Sequence, residues 1–167
     1  EDGREFYAQC LDCNFKAASD WVVRNVLAHL QNFNLAHFEP TGDKPGNDIY
    51  HKNWSATPWR DRWTLRDDLK AFIAPEKYGK PEFWTYYGSY DHVALMQLYG
   101  SMINKPAKWP MYTMDIKQLC KSLGDPELPK QGQDEHHALA DARWNKLAYD
   151  FLIDYGSHTR MIDPYKH

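Results

Sequence analysis

The chain has 167 residues, with 20 basic and 23 acidic side chains and a formal net charge of -3. That length suits one domain, spanning 1–167 and burying about two-thirds of its extended surface, and the weakly acidic balance argues against a protein that coats duplex nucleic acid through many phosphate contacts. These residues contain no apolar run of membrane-spanning length and no basic leader before an apolar segment, so neither a membrane span nor a signal peptide is expected.

Glu1-Asp2-Gly3 is a turn signature, and Glu5-Phe6-Tyr7-Ala8-Gln9-Cys10 then reads as a strand, the second half of a hairpin whose first strand is missing. Cys10-Leu11-Asp12-Cys13 has the C-x-x-C spacing. No second pair follows, and no histidine is placed as in a zinc finger, so unpaired structural or surface thiols stand against a metal or redox role. With Cys120 the count is odd, which gives no disulfide framework and predicts a reducing, cytoplasmic setting. After a connection from Asn14 to Ser19, Trp21, Val22, Val26, Leu27 and Leu30 recur at helical spacing and predict a short amphipathic helix over 20–30.

Residues 31–63 carry Pro40, Gly42, Pro45, Gly46 and Pro58 and no evident element. Such a length predicts an active-site or binding loop, or a partly disordered insertion. His51, Lys52, Trp54, Trp59, Arg60 and Arg62 interleave charge with aromatic rings. Base stacking of single-stranded nucleic acid is one reading, and tryptophans anchoring the loop on the core is the other. Thr64-Leu65-Arg66-Asp67 can cap a helix whose buried stripe is Leu65, Leu69, Phe72 and Ile73, ended by Pro75.

Glu82 to Tyr87 is rich in strand formers and stops at Gly88, and a helix over 91–102 follows, using Val93, Ala94, Leu95, Leu98 and Tyr99. Asp91 therefore stands after a strand and at the start of a helix, where open α/β folds place their chemistry. Met111 to Met114 predicts another short strand. Asp115 to Leu123 predicts a helix closed by Gly124, with Asp115 favoured as its cap over a chemical role.

The strongest helix spans 134–155, with Asp134 as its cap and Ala138, Leu139 or Ala142, Leu147, Phe151 and Leu152 as its apolar stripe. His136 and Asp141 are about 140° apart on a helical wheel, so they share a side only if the helix start is irregular or His136 lies in the lead-in. An imidazole beside a fixed carboxylate suits a metal-dependent hydrolase, because the carboxylate holds a hard cation while the histidine moves a proton. The plainer alternative is a set of surface polar residues. Strands alternating with helices give an α/β domain whose strand directions stay open.

His136-His137-Ala138-Leu139-Ala140-Asp141-Ala142 resembles the third motif, H-x-A-x-x-D-A, of the DEDDh exonucleases, and Phe83-Trp84-Thr85-Tyr86-Tyr87-Gly88-Ser89-Tyr90-Asp91 resembles the second. Together with Trp109-Pro110-Met111-Tyr112, these segments look like the mycobacterial-type 3'-5' exoribonuclease subfamily over nearly the whole chain. The resemblance implies a ribonuclease H-like mixed sheet flanked by helices, here lacking the first one or two strands. It implies His136 as general base and Asp91 and Asp141 as metal ligands for two Mg2+ or Mn2+ ions. His137 falls on a variable position and receives no role.

The family's first motif, D-x-E on the opening strand, has no counterpart before Glu5, and roughly 25 upstream residues of the family pattern are expected to be absent. Asp125-Pro126-Glu127 has the spacing but lies in a proline-containing connection, so it is rejected as the missing pair. The implied reaction is phosphodiester hydrolysis from a 3' end, releasing nucleoside 5'-monophosphates. Its implied substrate is single-stranded RNA or an RNA 3' overhang, with DNA and a homodimer left open. Tyr87, Tyr90 and His92 are candidates to grip the terminal nucleotide, with packing as the alternative for each. Three other classes remain: an exodeoxyribonuclease of the same fold, a non-catalytic nucleic-acid-binding or structural homologue, and an unrelated metal phosphohydrolase using His136, His137 and Asp141.

Overall fold

A computed structural model describes residues 2–30, 58–132 and 136–162, with backbone alone over 160–162. The chain groups into two bodies, residues 1–74 with 136–138 and residues 75–135 with 139–167.

In the first body, β1 (Gln9–Cys10) runs parallel to β2 (Trp59–Arg60), with Gln9 opposite Trp59 and Cys10 opposite Arg60. The Gln9 N–H donates to the Pro58 carbonyl and the Leu11 N–H to that of Arg60, both at 2.8 Å. The strand expected over Glu5–Cys10 is thus a two-residue ladder, since β propensity marks extended backbone without supplying a partner. The stretch expected to be irregular through 63 contains β2 and the start of α2 (Arg62–Ile73). Residues 31–57 of that stretch, with His51, Lys52 and Trp54, lie outside the described residues.

Two turns of helix follow β1. Ser19 caps α1 (Asp20–Asn25) by accepting the Val22 N–H, and the chain then tightens into a 3-10 turn over Leu27–His29. The single helix expected over 20–30 breaks because Val26 leaves ideal helical geometry, at φ -118°, and Leu27 becomes buried. Leu11, Phe15, Leu27 and Trp59 form this body's core, with Val22, Val23 and Leu30 packed on it. Each such aliphatic side chain contributes about 1.5–3 kcal/mol when fully buried. Trp59 is 4% exposed and meets Phe15 edge-on, so it is a core anchor. Arg60 is committed to Asp68 at 3.1 Å. The cap of α2 is Asp61, three residues earlier than expected: its carboxylate accepts both the Thr64 N–H and the Thr64 hydroxyl.

In the second body, Pro75 opens the single-turn helix α3 (Pro75–Tyr78), as suits a residue whose missing N–H would have no helical partner there. β3 (Trp84–Thr85) runs parallel to β4 (Met114–Asp115), pairing Trp84 with Met114 and Thr85 with Asp115. Between them lie α4 (Ser89–Gln97), five residues shorter at its end than expected, and a 3-10 turn over Met102–Asn104. α5 (Ile116–Ser122) and α6 (Ala138–Ile162) complete the body.

Ile116 and Cys120 of α5 and Ala148 and Leu152 of α6 are the buried centre, ringed by Trp84, Tyr86, Trp144 and Phe151. Both helices contribute residues four apart, so one face of each joins this cluster. Leu147, expected in the buried stripe, is 52% exposed. The stripe is rotated by one position to Ala148, because Trp144 and Leu152 carry the packing. The architecture is α/β, with parallel pairing in both described strand pairs. Among the described residues no helix is long and apolar enough to cross a membrane.

Candidate active site

The second body carries two of the expected acidic residues, each in the first turn of a helix: Asp91 on α4 and Asp141 on α6. The path from β3 to Asp91 is tightly determined. Tyr87 adopts φ 57°, a left-handed conformation that costs a non-glycine residue energy and marks an enforced turn. Gly88 follows, and a Cβ there would meet the Thr85 Oγ1 at 2.0 Å, so only glycine fits without rearrangement. The Gly88 N–H donates to the Asp115 Oδ2 at 3.0 Å. Asp115, at the end of β4, thereby holds the turn that delivers Asp91, while its Oδ1 accepts the N–H groups of Lys117 and Gln118 and caps α5.

Asp91 lies on an exposed stretch, yet local desolvation pushes its carboxyl above the ordinary value of 3.8, and the negative charge of Asp141 pushes it the same way. The two carboxylates therefore share one electrostatic environment. Asp141 is half-buried, and its Oδ1 accepts the Gln131 amide at 2.6 Å. The segment bearing Gln131 is pinned by a second bond, from the Trp144 indole N–H to the Pro129 carbonyl at 2.9 Å. Gln131 was not among the sequence candidates. Nothing in the sequence marks it, since it lies ten residues from Asp141 in a connection without periodicity.

The aromatic candidates divide. Tyr87 and Tyr90 are 63% and 85% exposed, and Tyr86 meets Tyr87 edge-on at 4.5 Å. His92 turns instead to Thr113, its Nδ1 lying 2.7 Å from the Oγ1, and its Nε2 is buried without a hydrogen-bond partner. His92 thus takes part in packing against the residue that precedes β4.

His136 belongs to the first body. It precedes α6 with φ 73°, in the lead-in, one of the two alternatives left open, because the helix expected from 134 begins only at Ala138. Its ring meets Trp21 edge-on at 5.3 Å, and the His137 ring stacks on Tyr7 at 4.9 Å. The proposed helix cap Asp134 lies outside the described residues.

Carboxylates are hard oxygen donors, and a divalent cation would relieve the repulsion that Asp91 receives from Asp141, which fits Mg2+ or Mn2+ and not a soft, thiol-seeking ion. Among the described residues no group of three or more His, Cys, Asp or Glu side chains is assembled to hold a metal. Asp91 and Asp141 are therefore two carboxylates without a third such side chain assembled beside them among the described residues.

A strand, an enforced turn and a helix-borne carboxylate paired with a second one define an α/β protein with an acidic site. Residues 43–153 match the 3'-5' exoribonuclease Rv2179c-like domain, and the chain belongs to that family. Two relatives from Mycobacterium tuberculosis are each 34% identical over 143 residues, covering 86% of this chain and 73% of the relative: 3'-5' exoribonuclease Rv2179c of strain ATCC 25618 / H37Rv and 3'-5' exoribonuclease MT2234.1 of strain CDC 1551 / Oshkosh.

Proposed function

We propose that this chain is a 3'-5' exoribonuclease of ribonuclease H-like fold, formed as one domain, that shortens single-stranded RNA or an RNA 3' overhang and releases nucleoside 5'-monophosphates. Family membership supports the reaction class, and the electrostatic coupling of Asp91 to Asp141 carries the site assignment.

Two Mg2+ or Mn2+ ions, when bound, would stabilise charge on the attacking and leaving oxygens and lower the pKa of the attacking water. Asp91 and Asp141 would hold them through carboxylate oxygens. Gln131 donates to one Asp141 oxygen and so restrains the rotamer of that carboxylate. His136 accepts the proton of the attacking water at an imidazole nitrogen, as a general base does. Tyr87 and Tyr90 offer exposed rings on which a terminal base stacks, worth about 1–3 kcal/mol per base. His92, bound to Thr113, supports the first turn of the Asp91 helix.

The test uses the full polypeptide and matched single-stranded RNA and DNA, labelled at the 5' end, with Mg2+, with Mn2+ and with chelator. The expected result is a metal-dependent ladder on RNA and 5'-monophosphate products, both lost in Asp141→Ala and His136→Ala. Preference for DNA under matched conditions rejects the ribonuclease reading and keeps the exonuclease. Tight RNA binding without hydrolysis establishes the non-catalytic alternative.

A further inference from the structure

Trp21 stands in the first turn of α1 and is 55% exposed. Its neighbours Val22 and Val23 pack on the core of the first body, so the helix is fastened by them. The backbone at Trp21 is nonetheless firmly set. Ser19 caps the helix by accepting the Val22 N–H, and the Asn25 side-chain amide donates to the Trp21 carbonyl at 2.8 Å. From this support the indole meets the His136 imidazole edge-on, with ring centroids 5.3 Å apart and planes at 75°. Aromatic pairs prefer such tilted arrangements at about 4.5–7 Å between centroids.

The other side of the contact is equally determined. His136 holds φ 73°, a left-handed conformation unusual for a residue with a Cβ, and such backbone persists where its surroundings over-determine it. Two consecutive ring contacts supply that constraint. The His137 ring stacks on Tyr7 at 4.9 Å, with planes 25° apart. Tyr7 is itself fixed, because its hydroxyl accepts the Gln9 side-chain amide at 3.0 Å. Gln9 is 3% exposed in β1, and its backbone N–H donates to the Pro58 carbonyl. A ladder residue thus holds Tyr7, Tyr7 holds His137, and Trp21 meets His136 from α1.

We propose that Trp21 is a positioning residue for the reaction, its ring restraining the His136 imidazole in the orientation from which it takes the proton of the attacking water. The inference rests on the reading of His136 as general base. A base acts only within hydrogen-bond reach of the proton it abstracts, and rotation about either torsion of the histidine side chain carries the ring nitrogens out of that reach. Tyr7 and His137 set the backbone at this point, and Trp21 restrains the ring that leaves it. The indole itself touches no reacting atom. An exposed tryptophan in a nuclease has a rival use, as a platform for an RNA base, and the two uses separate in kinetics. A stacking platform contributes to substrate binding and acts on KM, whereas a restraint on the base acts on kcat.

The test uses the full polypeptide, with steady-state kinetics on single-stranded RNA at saturating Mn2+. A second readout needs no turnover: nuclear magnetic resonance of ring-labelled histidines in the metal-free protein, with the His136 signal identified by its loss in His136→Ala. Trp21→Leu should lower kcat by about tenfold or more, since displacing a reacting group by about 1 Å costs about 100-fold, and should leave KM nearly unchanged. The His136 signal should move, having lost the ring current of the indole, while that of His158 on α6 stays in place. Trp21→Phe, which keeps an aromatic ring, should recover at least half of the lost rate. An unmoved His136 signal overturns the proposal, and a raised KM with kcat unchanged overturns it in favour of a base-stacking platform. Wild-type kinetics in Trp21→Leu beside an inactive His136→Ala also overturn it, and so does an equal loss of kcat in the Leu and Phe variants. Wild-type activity in His136→Ala removes the base itself and the proposal with it. Far-ultraviolet circular dichroism confirms that each variant is folded, and Trp21→Gln, with the same outcomes expected, replaces Trp21→Leu if that variant is not.

Discussion

The Asp115 carboxylate receives the Gly88 N–H at 3.0 Å while its other oxygen receives the Lys117 N–H at 2.8 Å. One side chain thus joins the end of β4, the start of α5 and the turn before Asp91. Asp115→Ala removes a helix cap, worth about 0.5–2 kcal/mol, and strands the N–H of the buried Gly88, for a further cost of about 1 kcal/mol. The expected loss in urea denaturation is about 2 kcal/mol. Asp115→Asn keeps a cap acceptor and should lose less than half as much. Equal stability of the three proteins would show that Asp115 does not organise this region.

Gly88→Ala should be worse than its chemistry suggests, because the added Cβ would stand 2.0 Å from the Thr85 Oγ1. Backbone conformation is not the obstacle, since Gly88 sits at φ -62°. Overpacking of this kind costs about 1–3 kcal/mol. Thr85→Ala removes the obstructing atom, which is also a buried hydroxyl without a hydrogen-bond partner, so the double variant should recover at least half of the loss. A double-mutant cycle with no coupling between the two positions rejects the steric account.

Local structure was legible in the sequence where chemistry and local pattern coincide. Asp115 was readable as a cap because it precedes a helical pattern closed by Gly124, whereas the helix expected from 134 begins only at Ala138, so that His136 falls before it. Other features depend on partners distant in sequence. Asp61 and Thr64 both start cap-like patterns, and only the folded chain shows Asp61 accepting both Thr64 donors. The phase of the α6 stripe was misread at Leu147 because helical spacing alone did not reveal that Ala148 packs with Ile116 and Cys120. The parallel pairing of β1 with β2 joins segments some fifty residues apart, beyond any local signal.

Gln131 is expected to act on the metal site without touching the reacting atoms. Its amide donates to the Asp141 Oδ1 at 2.6 Å, a short charge-assisted bond. Gln131→Leu keeps the bulk and removes the donor. Changes of this kind around ligating side chains cost about 10–100-fold in metal affinity or activity. The Mn2+ concentration for half-maximal activity should therefore rise at least tenfold, with a smaller change in the rate at saturating metal, and Gln131→Asn should not rescue it because the shorter side chain falls short. A reduced maximal rate with unchanged metal dependence rejects this role.

The Asp91–Asp141 pair predicts a sign for the pH dependence of the metal-free protein. The Asp91 pKa is raised in the folded state by desolvation and then by the charge of Asp141, so the folded protein holds this proton more tightly than the unfolded chain. Its stabilising contribution is complete below the ordinary value of 3.8 and is lost as pH rises through the folded value. Once that proton has left, the repulsion that Asp91 receives from Asp141 remains. Asp91→Asn should therefore raise the melting temperature of chelator-treated protein at pH 7 and leave it nearly unchanged in acid. Mg2+ or Mn2+ should raise the melting temperature of wild type at pH 7, because an ion that binds the folded state alone stabilises it by mass action. The same ions should do much less for Asp91→Asn, which has lost one of the two charges that attract them. Two carboxylates neutralise at most half the charge of two divalent ions, so a calorimetric titration of these 167 residues should show one ion binding far ahead of the second. If Asp91→Asn were destabilising at pH 7 without metal and still gained the full wild-type increment with it, the pair would be an ordinary surface feature, and the carboxylates that hold the cations would have to be sought elsewhere.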